Sequence, residues 1–363
     1  MPCYSKINQW KWDHMNQRVT LYFSIALGIL LVGLWIYIAD FGEMVQVFRK
    51  IQLMYLFPLG ISFMAMYFLR SLRWKIILAP VEKITAFESF NLCMTNYFIN
   101  FLIPMHAGEV AKSLLLKKMK GTPVSKSLLT VYLDKATDLL PIFILLIVAP
   151  FLKKQISFII YLACGILLLI FLLFISTLVF LAFRNNVTIT WIERIFFFLP
   201  DTLKIKLGNF LSLFVEGLSS ISLLKNSIIE IIGLTILALI IHCAFMWLFF
   251  LSFGINLPIL TILVGYLLLN ASFILPAPPG FSGSLELTFV FIFTYLYGYD
   301  INLVNAVAAV SHIFIAALFG LLGISALGFI GIKLSTVLKI ESESDVIMRT
   351  SRQALIRRNS GAK

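Results

Sequence analysis

The sequence predicts an all-α polytopic membrane protein, with about six full spans and two re-entrant broken-helix hairpins arranged as an inverted repeat. Three observations predict this class: the composition, several long apolar runs, and two similar segments that contain proline and glycine. Of the 363 residues, 60% are hydrophobic and only 13% are charged. Because so few polar residues cannot coat a soluble particle of this size, the composition excludes a soluble enzyme, a disordered chain and a coiled coil.

The apolar runs predict the membrane spans. A bilayer core about 30 Å thick requires roughly 20 apolar residues in a helix. Residues 21–39 and 156–183 contain no Asp, Glu, Lys or Arg, and residues 231–332 contain only two such residues, Glu286 and Asp300. We predict six spans, at about 20–39, 54–70, 128–152, 156–183, 228–253 and 302–332.

Two further apolar segments, 86–120 and 258–298, contain helix-breaking residues and are predicted to enter the bilayer and turn back. The alternative is that each segment is a pair of full spans. That alternative raises the number of crossings and leaves both chain termini on the same side of the membrane.

Basic residues predict the orientation. Lys and Arg cluster before the first span, after the second, before the third, between the fourth and fifth, and at the end of the chain. Because basic loops tend to remain in the cytoplasm, both termini are predicted to be cytoplasmic, with the chain in the cell membrane. The net charge of +12 is then explained by the orientation of the chain in the membrane and by contact with anionic lipid. No nucleic-acid partner is predicted.

The same pattern divides the chain into five regions. They are a cytoplasmic N-terminal segment (1–19), a first membrane half (20–185) with the broken segment 86–120, a cytoplasmic amphipathic linker (186–226), a second membrane half (227–335) with the broken segment 258–298, and a basic cytoplasmic tail (336–363).

The two broken segments resemble each other. Residues 100–108 read NFLIPMHAG and residues 272–280 read SFILPAPPG, so both have a polar residue, Phe, two aliphatic residues, Pro, three further residues and Gly. An acid follows each segment, Glu109 directly and Glu286 six residues later. Because the preceding spans are predicted to run in opposite directions, the two halves are predicted to be inverted copies.

Broken backbone at membrane depth indicates a functional site. Peptide groups without a partner cost several kcal/mol each when they face lipid, so such segments lie inside protein or line a wet cavity. Paired interrupted segments in two inverted halves are typical of a transporter's central site. The alternative is a single kinked helix in each half. The candidate substrate-binding residues here are Asn100, Pro104, His106, Gly108 and Glu109 in the first segment, and Pro279, Gly280, Gly283 and Glu286 in the second.

Ionisable residues inside the spans add further candidates, because a charge in the bilayer is costly unless it is enclosed and paired. Asp134 and Asp138 are four residues apart and share one helix face. Their partner is either Arg70 or Arg73 from another helix, in a structural salt bridge, or a cationic group of a substrate. His312 is predicted to face the core of the second half and is also a candidate.

The sequence contains no signature of catalysis or of metal binding. We find no nucleophile elbow, Walker loop, zinc-binding His-x-x-x-His or dinucleotide fingerprint. The four histidines and the four cysteines are scattered without metal-ligand spacing. We therefore predict no cofactor and no metal, and a protein that is not itself an enzyme.

Four sequence stretches resemble the lysylphosphatidylglycerol synthase transmembrane (flippase-like) family. They are FLRSLRWKIIL (68–78), NFLIPMHAGEVAKSLLLKKMKG (100–121), SKSLLTVYLDKATDLLPI (125–142) and PAPPGFSGSLEL (276–287). The resemblance, over roughly residues 20–335, implies an inner-membrane domain proposed to move anionic, cationic or polyprenyl-linked lipids between leaflets. Because few residues follow position 340, we expect a membrane domain without the family's soluble synthase domain.

Two residues depart from the family pattern. The resemblance implies an arginine where His106 and Lys135 stand in this sequence. Because an unperturbed histidine is largely neutral at physiological pH, we expect phosphate binding at the His106 turn to be weaker or sensitive to pH.

The leading hypothesis is a lipid translocase whose headgroup cavity lies between the two broken segments. Arg70 and Arg73 would attract a lipid phosphate near the cytoplasmic face, because arginine binds phosphate through a planar fork of donors. Glu109 and Glu286 would bind a basic headgroup or order the broken helices. The expected partners are membrane lipids that are anionic, aminoacylated or polyprenyl-linked.

Two alternatives remain open at this stage. The family's habit of fusion implies that the chain could be a membrane subunit or a transferase of aminoacyl-phospholipid or glycolipid synthesis, with a synthase or glycosyltransferase as partner. The other alternative is a membrane scaffold whose polar residues only pair with one another.

Overall fold

The computed structural model describes residues 26–103, 107–138, 169, 226–272 and 278–331. In these ranges all regular structure is helical and no strand occurs, which confirms the predicted all-α class. Several predicted features lie outside them: the span 156–183 apart from one residue, most of the span 128–152, the segment 1–19, the linker up to residue 225 and the tail 336–363. Pro104 and His106 also lie outside the described residues.

Up to residue 138, the described part of the chain contains six helices. They are α1 (Ala26–Ile38), α2 (Phe41–Phe48), α3 (Leu56–Leu78), α4 (Ala86–Leu102), α5 (Ala107–Lys120) and α6 (Val124–Thr137), with a short 3-10 turn at Leu53–Tyr55. The second part contains α7 (Ile228–Ser252), α8 (Ile259–Ser272), a 3-10 turn at Pro279–Phe281, α9 (Ser284–Phe289), which continues as a π-helix (Val290–Leu296), and α10 (Ile301–Ile330).

Within the described ranges, three helical stretches are long and apolar enough to cross a membrane. They are Leu53–Leu78, Ile228–Ser252 and Ile301–Ile330, which coincide with predicted spans at 54–70, 228–253 and 302–332. A fourth candidate is bent, because the axes of Ala26–Ile38 and Gly42–Phe48 differ by 85°. The side chain of Asp40 accepts hydrogen bonds from the N–H groups of Gly42 and Glu43 and so caps a new helix at the bend.

The first broken segment is a helical hairpin and not one kinked helix. Glu88 in the first turn of α4 binds Lys120 in the last turn of α5, with Oε1 and Nζ 2.7 Å apart, so the two helices are antiparallel. They pack with their backbones in contact at Gly108, where a Cβ atom would lie 2.2 Å from the carbonyl oxygen of Asn96. The Gly108 N–H also donates to Oδ1 of Asn100, at 2.8 Å.

The second broken segment also consists of two packed helices. Gly265 of α8 faces Phe293 in the π-helix, and a Cβ atom at Gly265 would lie 2.5 Å from that ring. Between the helices, Gly280 and Gly283 have φ angles of 65° and 75°. Residues with a Cβ atom rarely adopt this backbone conformation. The chain therefore reverses at the Pro-Gly-Phe-Ser-Gly stretch, where the sequence predicts a break.

Long apolar helices enclose the two hairpins. Helix α3 packs along α7, and α4 packs against both α3 and α10. The largest group of buried apolar side chains lies among α3, α7, α8 and α10, and a second group lies around Trp74 among α3 to α6. Large apolar side chains on the outer faces of α3, α7 and α10 remain exposed, which is typical of helices that face lipid.

The crossing of α10 and α4 provides a stability test, because two glycines of α10 differ in their surroundings. At Gly323 a Cβ atom would lie 2.4 Å from Cβ and Cγ of Phe98, whereas at Gly320 it would meet nothing within 4 Å. We expect Gly323→Ala to lower the free energy of unfolding by about 1–3 kcal/mol through overpacking. Gly320→Ala should leave it unchanged or raise it by about 0.5–1 kcal/mol.

Denaturant unfolding in detergent micelles measures both variants. Equal stabilities for the two alanine variants would contradict the close packing of α4 on α10.

Candidate functional site

Arg73 of α3 lies at the centre of a buried charge cluster. It is 1% exposed, and its Nε donates to Oδ1 of Asp134 at 2.8 Å. Its Nη2 donates to Oδ1 of Asp138 at 2.7 Å and to the carbonyl oxygen of Asp134 at 3.3 Å. Nη1 donates to Oγ1 of Thr235 on α7, at 3.2 Å. Each nitrogen of this guanidinium is thus bound by protein, and the interhelical partner expected for the two aspartates is Arg73.

Lys112 of α5 completes this cluster from the other side. The side chain is 1% exposed, and its Nζ lies 3.6 Å from the ring centroid of Trp74 and 4.0 Å from Oδ2 of Asp134. The Trp74 ring stabilises the ammonium through a cation–π contact. Lys112 therefore acts as a buried cation, although its sequence position in a run of lysines suggests a cytoplasmic loop.

Glu109 and Lys135 form a separate ion pair between α5 and α6. Nζ of Lys135 lies 2.6 Å from Oε1 of Glu109, whose side chain is 6% exposed. Glu109 lies at the start of the helix that follows the first break. It is thus paired with a residue of its own half of the chain.

Arg70 differs from Arg73 in its partners. Its Nη2 is 3.9 Å from Oδ1 of Asp138, an oxygen that already accepts from Arg73, and its guanidinium lies 5.9 Å from the ring centroid of Tyr67. The Arg70 guanidinium donates no hydrogen bond to any residue within the described ranges. In that part of the chain three cations, Arg70, Arg73 and Lys112, face two carboxylates, which leaves an excess of positive charge at Arg70.

A second polar group lies at the break of the second half. Nδ1 of His312 on α10 is 2.5 Å from Oε1 of Glu286 on α9, and its Nε2 is 2.6 Å from the carbonyl oxygen of Gly280. Glu286 is 5% exposed. His312 therefore connects α10 to the Pro279–Phe281 turn and to α9, the helix that follows it.

The two breaks come into contact through Phe101, the penultimate residue of α4. The Phe101 ring centroid lies 6.4 Å from that of Phe281 and 6.0 Å from that of His312. A Cβ atom at Gly280 would lie 3.7 Å from Phe101. The end of the first hairpin helix thus packs on the turn of the second broken segment.

Helix α1 covers the second break, a role that sequence reasoning missed. A Cβ atom at Gly283 would lie 2.5 Å from the backbone nitrogen of Val32. Nε1 of Trp35 donates to Oδ1 of the buried Asn305 on α10, at 2.9 Å. One signal could have indicated Asn305: it is a polar residue on a helix without charges, seven residues and thus about two turns before His312.

The structure therefore distributes the predicted site residues over three places. The charge cluster contains Arg70, Arg73, Asp134 and Asp138; the first hairpin contains Asn100, Gly108 and Glu109; and the second break contains Pro279, Gly280, Gly283, Glu286 and His312. Glu109 and Glu286 have different partners, Lys135 and His312.

An apolar groove of about 640 Å³ lies on the outer side of α3, α4 and α10. It follows α3 from Leu56 to Phe68, with Phe90 of α4 and Leu318, Leu321 and Leu322 of α10 on its other sides. These side chains give the groove an almost wholly apolar surface.

A comparison with known protein families finds one that matches most of the chain. The family described as the lysylphosphatidylglycerol synthase TM region matches residues 22–323. The chain belongs to this family. Membership confirms the resemblance predicted from the four motifs and places the protein in the membrane, in a lipid-related process. No curated protein and no solved structure matches the chain.

The two aspartates of this family member offer a stability test of the charge cluster. Removing the partner of a buried ion costs about 3–5 kcal/mol, because the remaining charge loses its compensation. We expect Asp134→Ala to approach this loss, since the Asp134 side chain is only 10% exposed. Asp138→Ala should cost clearly less, because water can replace a side chain that is 27% exposed.

Unfolding of the two variants in detergent measures this difference. A variant at Asp138 that is as unstable as the one at Asp134, or more so, would show that Arg73 is not held mainly by Asp134.

Proposed function

We propose that this protein is a lipid translocase that moves a phospholipid or a polyprenyl-linked lipid between the leaflets of the cell membrane. The observation that carries the proposal is the contact between the two broken segments at Phe101, with buried ionisable groups on both sides of it. Backbone breaks and charges are unfavourable in a bilayer, and proteins retain them where a polar substrate must pass.

The order of the elements supports an inverted repeat in this translocase. A span (α3), a hairpin (α4 and α5) and a further helix (α6) are followed by a span (α7), a broken segment (α8 and α9) and a span (α10). The helices of the hairpins are short: α4 has 17 residues and α8 has 14. At about 1.5 Å per residue they are about 25 Å and 21 Å long, less than the bilayer core. We therefore propose that both hairpins are re-entrant and enter from opposite faces.

Arg70 is the residue that would bind the lipid phosphate. The guanidinium of Arg73 is fully engaged by the protein, so its role in this proposal is to hold the two aspartates. Arg70 retains free donors in the described structure and lies beside an excess of positive charge. A phosphate would accept hydrogen bonds from the N–H groups of Arg70 and neutralise that excess charge.

The apolar groove beside α3 would accommodate an acyl or prenyl chain. The groove extends along α3 from Leu56 to Phe68, which is 13 residues of helix. At about 1.5 Å per residue its length is less than 20 Å, comparable to the thickness of one leaflet. The groove ends two residues before Arg70 in the sequence. A lipid with its tail in this groove would have its headgroup at the level of the charge cluster.

The direct test is reconstitution of the purified protein in liposomes that contain labelled lipids of several headgroup classes. We expect labelled lipid to change leaflet faster than in protein-free vesicles for at least one class. Rates equal to those of protein-free vesicles for every class would refute the proposal. If a protein that is inactive in this assay co-purified with a synthase or glycosyltransferase, the translocase proposal would be replaced by the alternative that the chain is a membrane subunit of lipid synthesis.

A variant at Arg70 tests the proposed phosphate site. We expect Arg70→Gln to reduce lipid movement about tenfold or more, because a hydrogen bond to a charged group contributes about 1.5–3 kcal/mol. Arg70→Lys should retain part of the activity, since it keeps the charge and loses the fork. Lys75→Gln, at the end of the same helix, is the control and should leave the rate unchanged.

Stability measurements separate binding from folding in these variants. A variant Arg70→Gln that is as stable as the native protein and moves lipid at the native rate would remove Arg70 from the proposed path.

A further inference from the structure

The ring of His312 lies between two oxygen atoms that can accept hydrogen bonds, Oε1 of Glu286 and the carbonyl oxygen of Gly280. A carbonyl oxygen has no hydrogen to donate, so Nε2 of His312 must carry one. The hydrogen of the other contact then lies between Nδ1 and Oε1, either on the imidazole or on the carboxylic acid. In both arrangements the pair of side chains has no net charge.

Loss of that one proton changes the contact in a defined way. A carboxylate oxygen would face the lone pair of a neutral nitrogen, and two acceptors cannot remain at hydrogen-bond distance. The pair would also gain a negative charge, which is costly because the Glu286 side chain is buried. The contact between His312 and Glu286 therefore holds only while the proton is bound, and it opens when the proton leaves.

The described surroundings contain no second group that could compensate this charge. Glu286 is the one charged neighbour that interacts with His312, and Oε2 of Glu286 is buried without a hydrogen-bond partner in the described ranges. The contacts from α4 and α1 involve no titratable group: the Phe101 ring lies on His312, and the backbone of α1 at Val32 lies on Gly283. The other titratable side chains on the described helices that pack on α9 and α10, none of which interacts with His312, are Tyr37, Glu43, Glu88, Cys93, Tyr97, Glu230, His242, Cys243, Tyr266 and Tyr295.

We propose that the Glu286–His312 pair is the binding site of a coupling proton, and that the protein exchanges one proton for each lipid it moves. The inference rests on the proposed function and names the ion that such a translocase would use. On opening, the N–H or O–H bond breaks and the proton passes to water; on closing, the same bond forms again. No oxidant, reductant or other co-reactant takes part.

The position of the pair links the proton to a movement of the helices. His312 holds α10 to Gly280, and Gly280 packs against Phe101 at the end of the first hairpin. Opening of the pair would release α9 from α10 at Glu286, while the ring of His312 stays bound to Gly280 beside Phe101. A proton that binds only the closed arrangement shifts the balance between two arrangements of the breaks, which is what a coupling ion must do.

Liposomes with an imposed pH gradient test the proposal. For one proton per lipid, a gradient of about one pH unit should shift the ratio of labelled lipid between the leaflets by about tenfold. The shift should reverse when the gradient is reversed, and a pH dye trapped in the vesicles should record proton movement with the lipid. Glu286→Gln should abolish both effects, because an amide donates to Nδ1 and keeps the pair closed without a titratable proton.

Glu43→Gln is the matched control, since Glu43 also contacts a side chain of α10, Asn302, but is exposed. It should keep the native response to the gradient. Lipid movement that ignores the gradient in the native protein, or that responds equally in Glu286→Gln, would overturn the coupling and leave the translocase intact. Absence of lipid movement under any gradient would instead refute the proposed function.

A second measurement does not depend on transport. Nitrogen-15 NMR of histidine-labelled protein in liposomes reports the protonation of both ring nitrogens, and His312→Asn assigns the signal. We expect the His312 signals to change with pH in the native protein and to stay those of the neutral ring, with the hydrogen on Nε2, in Glu286→Gln. A His312 signal with the same pH dependence in both proteins would overturn the proton site.

Discussion

A helix that breaks at bilayer depth leaves peptide groups and polar side chains that lipid cannot satisfy, and this constraint shapes the whole structure. Each break in this protein is enclosed by other helices. The first is paired with its own hairpin partner at Gly108, and the second is covered by α1 at Gly283 and bound by His312 from α10. Long apolar helices, α3, α7 and α10, pack against the described parts of the two broken segments.

Glycine makes this enclosure possible, because the helices approach more closely than any side chain allows. Gly108 brings α5 onto the backbone of α4, and Gly323 brings α10 onto Phe98 of α4. Helix α4 is therefore fixed from two sides, and its end carries Phe101 to the second break. Without a hydrophobic driving force between helices in lipid, such close packing supplies much of the association energy.

The sequence predicts the breaks well, because proline, glycine and isolated acids in apolar runs have few structural explanations. It predicts the partners of charged residues poorly. The helical spacing of Asp134 and Asp138 shows that they share a face, but whether Arg70 or Arg73 reaches them depends on how α3 is rotated against α6, which only packing decides. Burial of Lys112 and the cover by α1 are likewise tertiary effects, since nothing in the residues 26–38 indicates a contact 250 residues away.

The two polar groups of the interior differ in the kind of charge they hold, and this difference fits different roles. The cluster around Arg73 contains two arginines and a lysine against two aspartates, and in the proposed function its excess positive charge would attract an anion. The group at the second break contains a histidine and a carboxylate, whose charges depend on one proton. Phe101 and its aromatic neighbours Tyr97 and Phe319 lie between the two groups, with Tyr67 in contact with both Arg70 and this aromatic set. In the proposed function, a site for an anionic headgroup and a site for a proton are therefore joined by aromatic rings, so that a change at one would alter the geometry of the other.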